Sequence, residues 1–170
     1  MDPRVAAAMK EAEQIIRKAR AGVVLDDVFF AHRALKLRPV PDPSCETMWT
    51  DGVTLGFNPT FVTKSLTLPE AKGVICHEVL HCLLLHHLRM GNRDRKKWNM
   101  AADYAINGIL VDAGKSLPKG ALFNPAYKGK SAEEIYSMLP DPPQGGGGND
   151  GKSGDPGGCG EVRPYPGPDG

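Results

Sequence analysis

The sequence lacks a long apolar run. Residues 1–20 are charged throughout and contain no apolar core, so they do not form a secretory signal. No later segment approaches the roughly 20 consecutive apolar residues that a helix needs to cross a bilayer. We therefore expect a cytoplasmic protein that has no membrane partner.

The sequence also lacks a Cys-x-x-Cys motif, has a small net charge and contains few aromatic residues. The four cysteines include no Cys-x-x-Cys pair, which argues against a cysteine-based structural zinc site. The formal net charge is +1, and only 6% of the residues are aromatic. Because nucleic-acid-binding domains carry basic patches and stacking aromatics, this composition argues against a nucleic-acid partner.

Glycine and proline, by contrast, are concentrated near the C-terminus. The chain has 170 residues, enough for one domain, and residues 141–170 contain eleven glycines and six prolines. Such a segment cannot bury enough apolar surface to offset the entropy lost on ordering. The sequence therefore predicts a folded domain over residues 1–140 and a disordered linker or tail over residues 141–170.

Short β-rich runs predict a small sheet in the first part of the domain. Residues 32–40 alternate loosely between apolar and polar and predict a strand. Residues 47–50 and 53–57 flank Asp51-Gly52, a pair that is typical of a hairpin turn.

Capping signals predict the helices that follow. Thr67 and Glu70 have the spacing of a capping box, which predicts a helix from there to about Met90. A second helix is expected from about Asp94 to just before Gly114.

The chemistry-bearing motif is His77-Glu78-Val79-Leu80-His81. Two histidines four residues apart lie on one face of a helix, so both imidazoles can reach one metal ion. Glu78 follows at about 100° around the helix, beside the ion, where it can accept a proton from a zinc-activated water. The competing interpretation is a core helix with incidental histidines, which has to bury three polar groups without a partner.

The third ligand is expected on the next helix. Asp103 stands in an otherwise apolar helical segment, and Asn107 is four residues further along the same face. We predict that Asp103 ligates the metal and that Asn107 hydrogen-bonds a ligand histidine. This set leaves a fourth position open, as catalytic zinc requires. The alternative is that Asp103 only accepts hydrogen bonds from arginine or lysine.

His86 and His87 are not expected to be ligands. His87 has the spacing of the third histidine in a longer zinc motif, but Leu84 replaces the glycine that breaks the helix in that motif. On a straight helix, His87 would lie about 9 Å beyond His81 along the axis, and His86 would point to the face opposite His77. We interpret both as helix-end residues.

Together these residues resemble a bacterial family described as a putative metallopeptidase domain, which often precedes a von Willebrand A-like domain. The chain also looks like the minimal zincins of the gluzincin type. The landmarks cover most of residues 1–140 and are residues 42–45 (DPSC), 50–52 (TDG), 57–59 (FNP), 77–81 (HEVLH), 98–107 (WNMAADYAIN) and 131–136 (SAEEIY).

The resemblance implies an α+β, zincin-like fold in which a small mixed or antiparallel sheet accompanies the HExxH helix and a following ligand helix. Gluzincins carry a Glu-x-x-x-Asp pair at the places held here by Asp103 and Asn107. The resemblance also implies that residues 53–57 form an edge strand that binds extended peptide through main-chain hydrogen bonds. Related chains continue past a glycine-rich linker into the A-like domain, so this sequence is expected to be a fragment or a member without that domain.

The expected function is that of a zinc metallopeptidase that holds one Zn²⁺ ion and hydrolyses a peptide or protein substrate, with Glu78 as general base. Tyr104, Tyr127, Tyr136 and His86 are equal candidates for stabilising the oxyanion. The alternative is a catalytically silent zinc-binding module for protein–protein interaction. A von Willebrand A-like domain is the expected partner.

Overall fold

The computed structural model describes residues 3–141 and 160–165, and it belongs to the mixed α+β class. Within these residues, none of the helices combines the length and the apolar character that crossing a bilayer requires. The elements in chain order are α1 (Pro3–Asp26), α2 (Val28–Lys36), β1 (Arg38–Pro41), β2 (Met48–Thr50), β3 (Thr54–Phe57), α3 (Pro59–Ser65), α4 (Leu68–Leu83), α5 (His86–Arg89), α6 (Arg95–Asp112), a 3₁₀ turn (Pro125–Tyr127), α7 (Ala132–Met138) and β4 (Glu161–Val162).

The strands form one small mixed sheet in the order β1-β3-β2-β4. β2 and β3 are antiparallel, with Trp49 opposite Gly56, which confirms the hairpin predicted around Asp51-Gly52. β1 runs parallel to β3, and β4 runs parallel to β2. Because β3 lies between two hydrogen-bonded neighbours, the expectation that residues 53–57 form a free edge strand for peptide binding is wrong.

The strand predicted at residues 32–40 is mostly helix, since α2 extends to Lys36 and β1 begins only at Arg38. The side chain of Asp27 caps α2 by accepting a hydrogen bond from the backbone N–H of Phe29. Phe30 and Ala34 are one turn apart and are both buried. Apolar residues at helical spacing therefore outweigh the loose alternation of the segment.

The HExxH helix, α4, is the central element of the core and contacts α1, α2, α6 and β2. It begins at the predicted capping box of Thr67 and Glu70. A Cβ at Gly73 would come 1.7 Å from the carbonyl oxygen of Ser116, so only glycine allows the segment after α6 to approach α4 this closely.

α4 ends at Leu83 and does not continue to Met90 as predicted. Leu85 adopts a left-handed conformation with φ 56° and separates α4 from α5. The break is not marked by glycine or proline, and the leucine-rich sequence favours an unbroken helix. This local difference changes the position of His86, which is described below.

α6 is the predicted second helix, and it packs against both α4 and α7. The side chain of Asp94 caps it by accepting a hydrogen bond of 2.8 Å from the backbone N–H of Lys97. α7 begins at a capping box formed by Ser131 and Glu134. The contact between α4 and α6 brings the two predicted ligand-bearing helices side by side.

Residues 160–165 lie in the segment expected to be disordered, yet Glu161 and Val162 form β4 at the edge of the sheet. Val162 is buried, and the backbone N–H of Arg163 donates a hydrogen bond of 2.8 Å to the carbonyl of Thr50. These six residues therefore differ from the expectation. Residues 142–159 and 166–170 lie outside the described residues, and the prediction for them stays a prediction.

Candidate metal centre

α4 carries the two histidines of the motif on the side that faces α6. His77 and His81 are one helical turn apart, and neither has exposed surface. Their Nε2 atoms lie 2.8 Å apart, and their ring centroids lie 4.5 Å apart at an interplanar angle of 76°. Both rings therefore direct a nitrogen to the same position.

α6 contributes a carboxylate to this position. Oδ1 of Asp103 lies 3.3 Å from Nε2 of His77 and 3.3 Å from Nε2 of His81, and Asp103 is fully buried. One ligand atom from each of the three residues lies within 4.8 Å of the others. Within residues 3–141 and 160–165, no lysine or arginine forms an ion pair with Asp103, so the alternative role as a partner of a basic side chain is not observed there.

Asn107 contacts His77 at Nδ1, the ring nitrogen that does not face Asp103. Its Nδ2 donates a hydrogen bond of 2.8 Å to the carbonyl oxygen of Leu122, which fixes the orientation of the amide. Its Oδ1 lies 2.8 Å from Nδ1 of His77. Because an amide oxygen only accepts, His77 carries a hydrogen on Nδ1, so Nε2 is the nitrogen that can bind a metal ion.

His86 does not point away from the centre as expected for a straight helix. Its Nδ1 lies 3.1 Å from Nδ1 of His81, and the residue is only 1% exposed. This contact is on the edge of the His81 ring that faces away from Asp103, so His86 is not positioned as an oxyanion donor. His87 packs beside Gly52, where an added Cβ would come 2.6 Å from its Nε2.

Burial governs the protonation of this cluster. Burial, assisted by the neighbouring His77, lowers the pKa of His81 to about 4, and burial, assisted by His81, lowers the pKa of His86 to about 2. Burial alone would raise the pKa of Asp103, but the interactions with His77 and His81 outweigh it and keep that pKa below its ordinary value. At neutral pH an ionised Asp103 therefore lies beside neutral His81 and His86.

Glu78 is fully buried next to His77 on α4. Gly160, the residue before β4, packs against its side chain: an added Cβ would come 1.8 Å from Oε1 of Glu78 and 3.2 Å from Cδ2 of His77. Gly160 was not predicted from the sequence, because it is one of many glycines in that segment. The feature of the sequence that could have indicated an ordered segment here is the short run Glu161-Val162-Arg163, which lies between glycine and proline.

The tyrosines considered as oxyanion donors have other partners. The rings of Tyr104 and Tyr127 contact each other with centroids 5.0 Å apart. The hydroxyl of Tyr136 accepts a hydrogen bond of 3.0 Å from the backbone N–H of Asp94. The described contacts therefore assign none of the three to oxyanion stabilisation.

Comparison with known protein families identifies the family of this chain. A family model described as a putative metallopeptidase domain matches residues 11–162 of the chain. The chain belongs to this family. The matched region contains the His77, His81 and Asp103 cluster and ends with β4.

One relative extends beyond the region that it shares with this chain. An uncharacterised protein of Thermotoga maritima is 30% identical over 110 residues, which are 60% of this chain and 27% of that protein. The chain thus spans about a quarter of the length of that relative. No solved structure matches the chain.

The three converging atoms fit a divalent metal ion. A neutral His77 with its hydrogen on Nδ1 has a lone pair on Nε2, and a single hydrogen on Nε2 of His81 cannot satisfy both the carboxylate of Asp103 and the facing imidazole. A buried carboxylate that lacks a compensating cation is strongly destabilising. Two imidazole nitrogens and one carboxylate oxygen are ligands that zinc accepts, with a fourth position left for water or substrate.

Proposed function

We propose that this chain is a zincin-type, zinc-dependent metallopeptidase in which His77, His81 and Asp103 hold one Zn²⁺ ion. The observation that carries the proposal is the convergence of two Nε2 atoms 2.8 Å apart on one carboxylate oxygen that is 3.3 Å from each. Membership of the metallopeptidase family supports peptide or protein substrates.

The catalytic part of the proposal assigns a proton-transfer role to Glu78. Zinc, when bound, supplies Lewis-acid activation of a water molecule and of the scissile carbonyl. The carboxylate of Glu78, which lies beside His77, accepts a proton from the attacking water and passes it to the leaving amine nitrogen. Asn107 keeps the lone pair of His77 directed into the centre, as hydrogen-bonded partners of metal ligands do.

The proposal extends to a von Willebrand A-like domain as partner. The support is the resemblance of landmarks such as residues 50–52 and 98–107 to chains in which the two domains are joined. Co-purification of the full chain with the A-like domain from the same genome tests this partnership, and the absence of any complex would contradict it.

Zinc content tests the ligand set. We expect one zinc per purified wild-type chain by mass spectrometry, and a loss of most zinc in His77→Ala and Asp103→Ala. Asp112→Ala is a matched control, because Asp112 is an exposed carboxylate at the end of the same helix. Stoichiometric zinc in Asp103→Ala would remove Asp103 from the ligand set.

Glu78→Gln tests catalysis separately from metal binding. The variant is expected to keep its zinc and to lose about 10²–10⁴-fold in peptide hydrolysis, the usual contribution of a general base. Glu11→Gln on the exposed side of α1 is the control and should behave as wild type. If wild type and Glu78→Gln both bind zinc and neither cleaves any member of a peptide library, the chain is a silent zinc-binding module.

A further inference from the structure

A strained turn brings His86 back onto the metal centre. Among the non-glycine residues that the structure describes, Leu85 alone has a positive φ, with φ 56° and ψ 31°. This left-handed conformation is unfavourable for a residue with a Cβ, and at the end of an exposed helix glycine or asparagine would be the usual choice. The strain indicates that the position of the following residue is held by its surroundings.

The surroundings of His86 fix its orientation. Its carbonyl oxygen accepts a hydrogen bond of 3.2 Å from the indole Nε1 of Trp98, a fully buried residue of α6. The two rings meet edge to face, with centroids 5.8 Å apart at 85°. α6 therefore supports His86 through Trp98 near its start and supplies Asp103 from its middle.

The Nδ1 atoms of His81 and His86 are 3.1 Å apart, so a hydrogen bond between them requires one hydrogen on one of the two atoms. In a first arrangement, His86 donates to His81, and His81 carries its own hydrogen on Nε2, where it can donate to His77. In a second arrangement, His81 carries its hydrogen on Nδ1 and donates to His86. The hydrogen bond to Asn107 keeps the hydrogen of His77 on Nδ1. The two arrangements therefore differ only in the rings of His81 and His86.

Only the second arrangement leaves lone pairs on Nε2 of both His77 and His81. We propose that His86 is a positioning residue that selects this tautomer of His81. When a metal ion is held, Nδ1 of His86 accepts the hydrogen on Nδ1 of His81. When no ion is held, Nδ1 of His86 donates a hydrogen to Nδ1 of His81. On His81 one hydrogen moves from Nε2 to Nδ1, and on His86 one moves from Nδ1 to Nε2, so neither ring changes charge. The inference rests on the zinc site of the proposed function.

Zinc affinity, measured by competition with a chromophoric chelator, tests this role. His86→Leu fills a similar volume but cannot accept a hydrogen bond, and we expect its zinc affinity to fall about 10–100-fold, as for other lost partners of metal-ligating histidines. His86→Asn places a side-chain oxygen about where Nδ1 was and should restore most of that loss. His87→Leu is the matched control and should bind zinc as wild type does.

The tautomer itself is visible in the nitrogen chemical shifts of ¹⁵N-histidine-labelled wild-type protein. We expect His81 to carry its hydrogen on Nε2 in the zinc-free protein and on Nδ1 in the zinc-loaded protein. The measurement needs no substitution, so it stands even if His86→Leu does not fold. A hydrogen that stays on the same nitrogen of His81 in both states would overturn the proposal.

The outcomes separate this inference from the proposed function. If wild-type protein binds no zinc, both proposals fail together. If wild type, His86→Leu and His86→Asn bind zinc equally, the role of His86 is disproved and the metallopeptidase proposal is unaffected. If Leu and Asn weaken zinc binding to the same extent, His86 acts only through packing, and its hydrogen bond is not what matters.

Discussion

Gly160 lies so close to the carboxylate of Glu78 that a Cβ on Gly160 would come within 1.8 Å of Oε1. The contact joins distant parts of the chain, since Glu78 lies in α4 and Gly160 immediately precedes β4. β4 is held by its parallel pairing with β2, in which Trp49 is opposite Glu161. The position of the proposed general base, Glu78, therefore depends on the pairing of β4 with β2.

Gly160→Ala tests this dependence. The added methyl group must displace either Glu78 or β4, because both Glu78 and Val162 are buried. We expect the free energy of unfolding to fall by about 1–3 kcal/mol, as in other overpacked cores. Peptide hydrolysis should fall by about 100-fold, the effect of moving a catalytic group by about 1 Å. Urea unfolding and peptide hydrolysis on the same preparation measure both.

Gly108→Ala is the control for Gly160→Ala. Gly108 lies inside α6, and an added Cβ there meets no heavy atom within 4 Å outside its own helical backbone. Alanine in a helix interior should raise the free energy of unfolding by up to about 1 kcal/mol and leave zinc content unchanged. Losses of equal size in the two variants would contradict the role given to the contact between Gly160 and Glu78.

The variants Asn107→Leu and Asn107→Asp distinguish the effect of the hydrogen bond to His77 from that of the hydrogen bond to Leu122. Leucine leaves both Nδ1–H of His77 and the carbonyl of Leu122 without their partner. We expect a loss of about 1–3 kcal/mol of stability for each unpaired group and a zinc affinity about 10–100-fold lower. Aspartate still accepts from His77, so it should recover zinc affinity but not the bond to Leu122. Chelator competition and urea unfolding measure the two effects.

Equal zinc affinities in Asn107→Leu and Asn107→Asp would contradict this division. In that case the hydrogen bond to His77 would not orient the ligand, and the bond to Leu122 would be the one that matters. Asn99→Asp is a useful comparison, because Asn99 is also a buried asparagine of α6 but has no described contact with the histidines.

The parts of the centre that follow from helix geometry were predictable from sequence. Residues four apart on a helix share a face, which is enough to pair His77 with His81 and Asp103 with Asn107. The meeting of these two pairs was a hypothesis based on the cost of burying Asp103 in an apolar segment. The structure brings the four residues together through the packing of α4 against α6.

The rest depends on features that have no local signature. His86 reaches His81 only because Leu85 is left-handed, and no glycine or asparagine announces that turn. Gly160 reaches Glu78 only because Glu161 pairs with Trp49, a residue more than a hundred positions earlier. Propensity favours a continuous helix in the first case and disorder in the second, and tertiary packing overrides it in both.

Leu85→Asn should stabilise the protein. Leu85 is 48% exposed and Leu83 is 41% exposed, so asparagine removes a similar apolar surface at either position. At Leu85, however, asparagine tolerates the left-handed conformation, and we expect a gain of about 0.5–1 kcal/mol in the free energy of unfolding. Leu83→Asn, in the last turn of α4, should lose about 0.5 kcal/mol through helix propensity. Equal losses would mean that φ at Leu85 carries no strain.

The stability of the zinc-free protein should fall steeply as the pH is lowered from 6.5 toward 4. The folded protein holds the pKa of His81 at about 4 and that of His86 at about 2, because both rings are buried. In the unfolded chain each has a pKa near 6.5, so below that pH the unfolded state binds protons that the folded state does not.

The sign and the size of this pH effect follow from proton linkage. Stability from the two rings is fully present above pH 6.5, and it is lost at up to about 1.4 kcal/mol per pH unit for each histidine as the pH falls through this window. Urea unfolding in EDTA at pH 7.5, 6.5, 5.5 and 4.5 measures the slope, and His86→Asn should remove about half of it. A free energy of unfolding that stays constant between pH 7 and pH 5 would show that His81 and His86 take up protons in the folded state as readily as in the unfolded chain, and it would contradict the neutral rings described above.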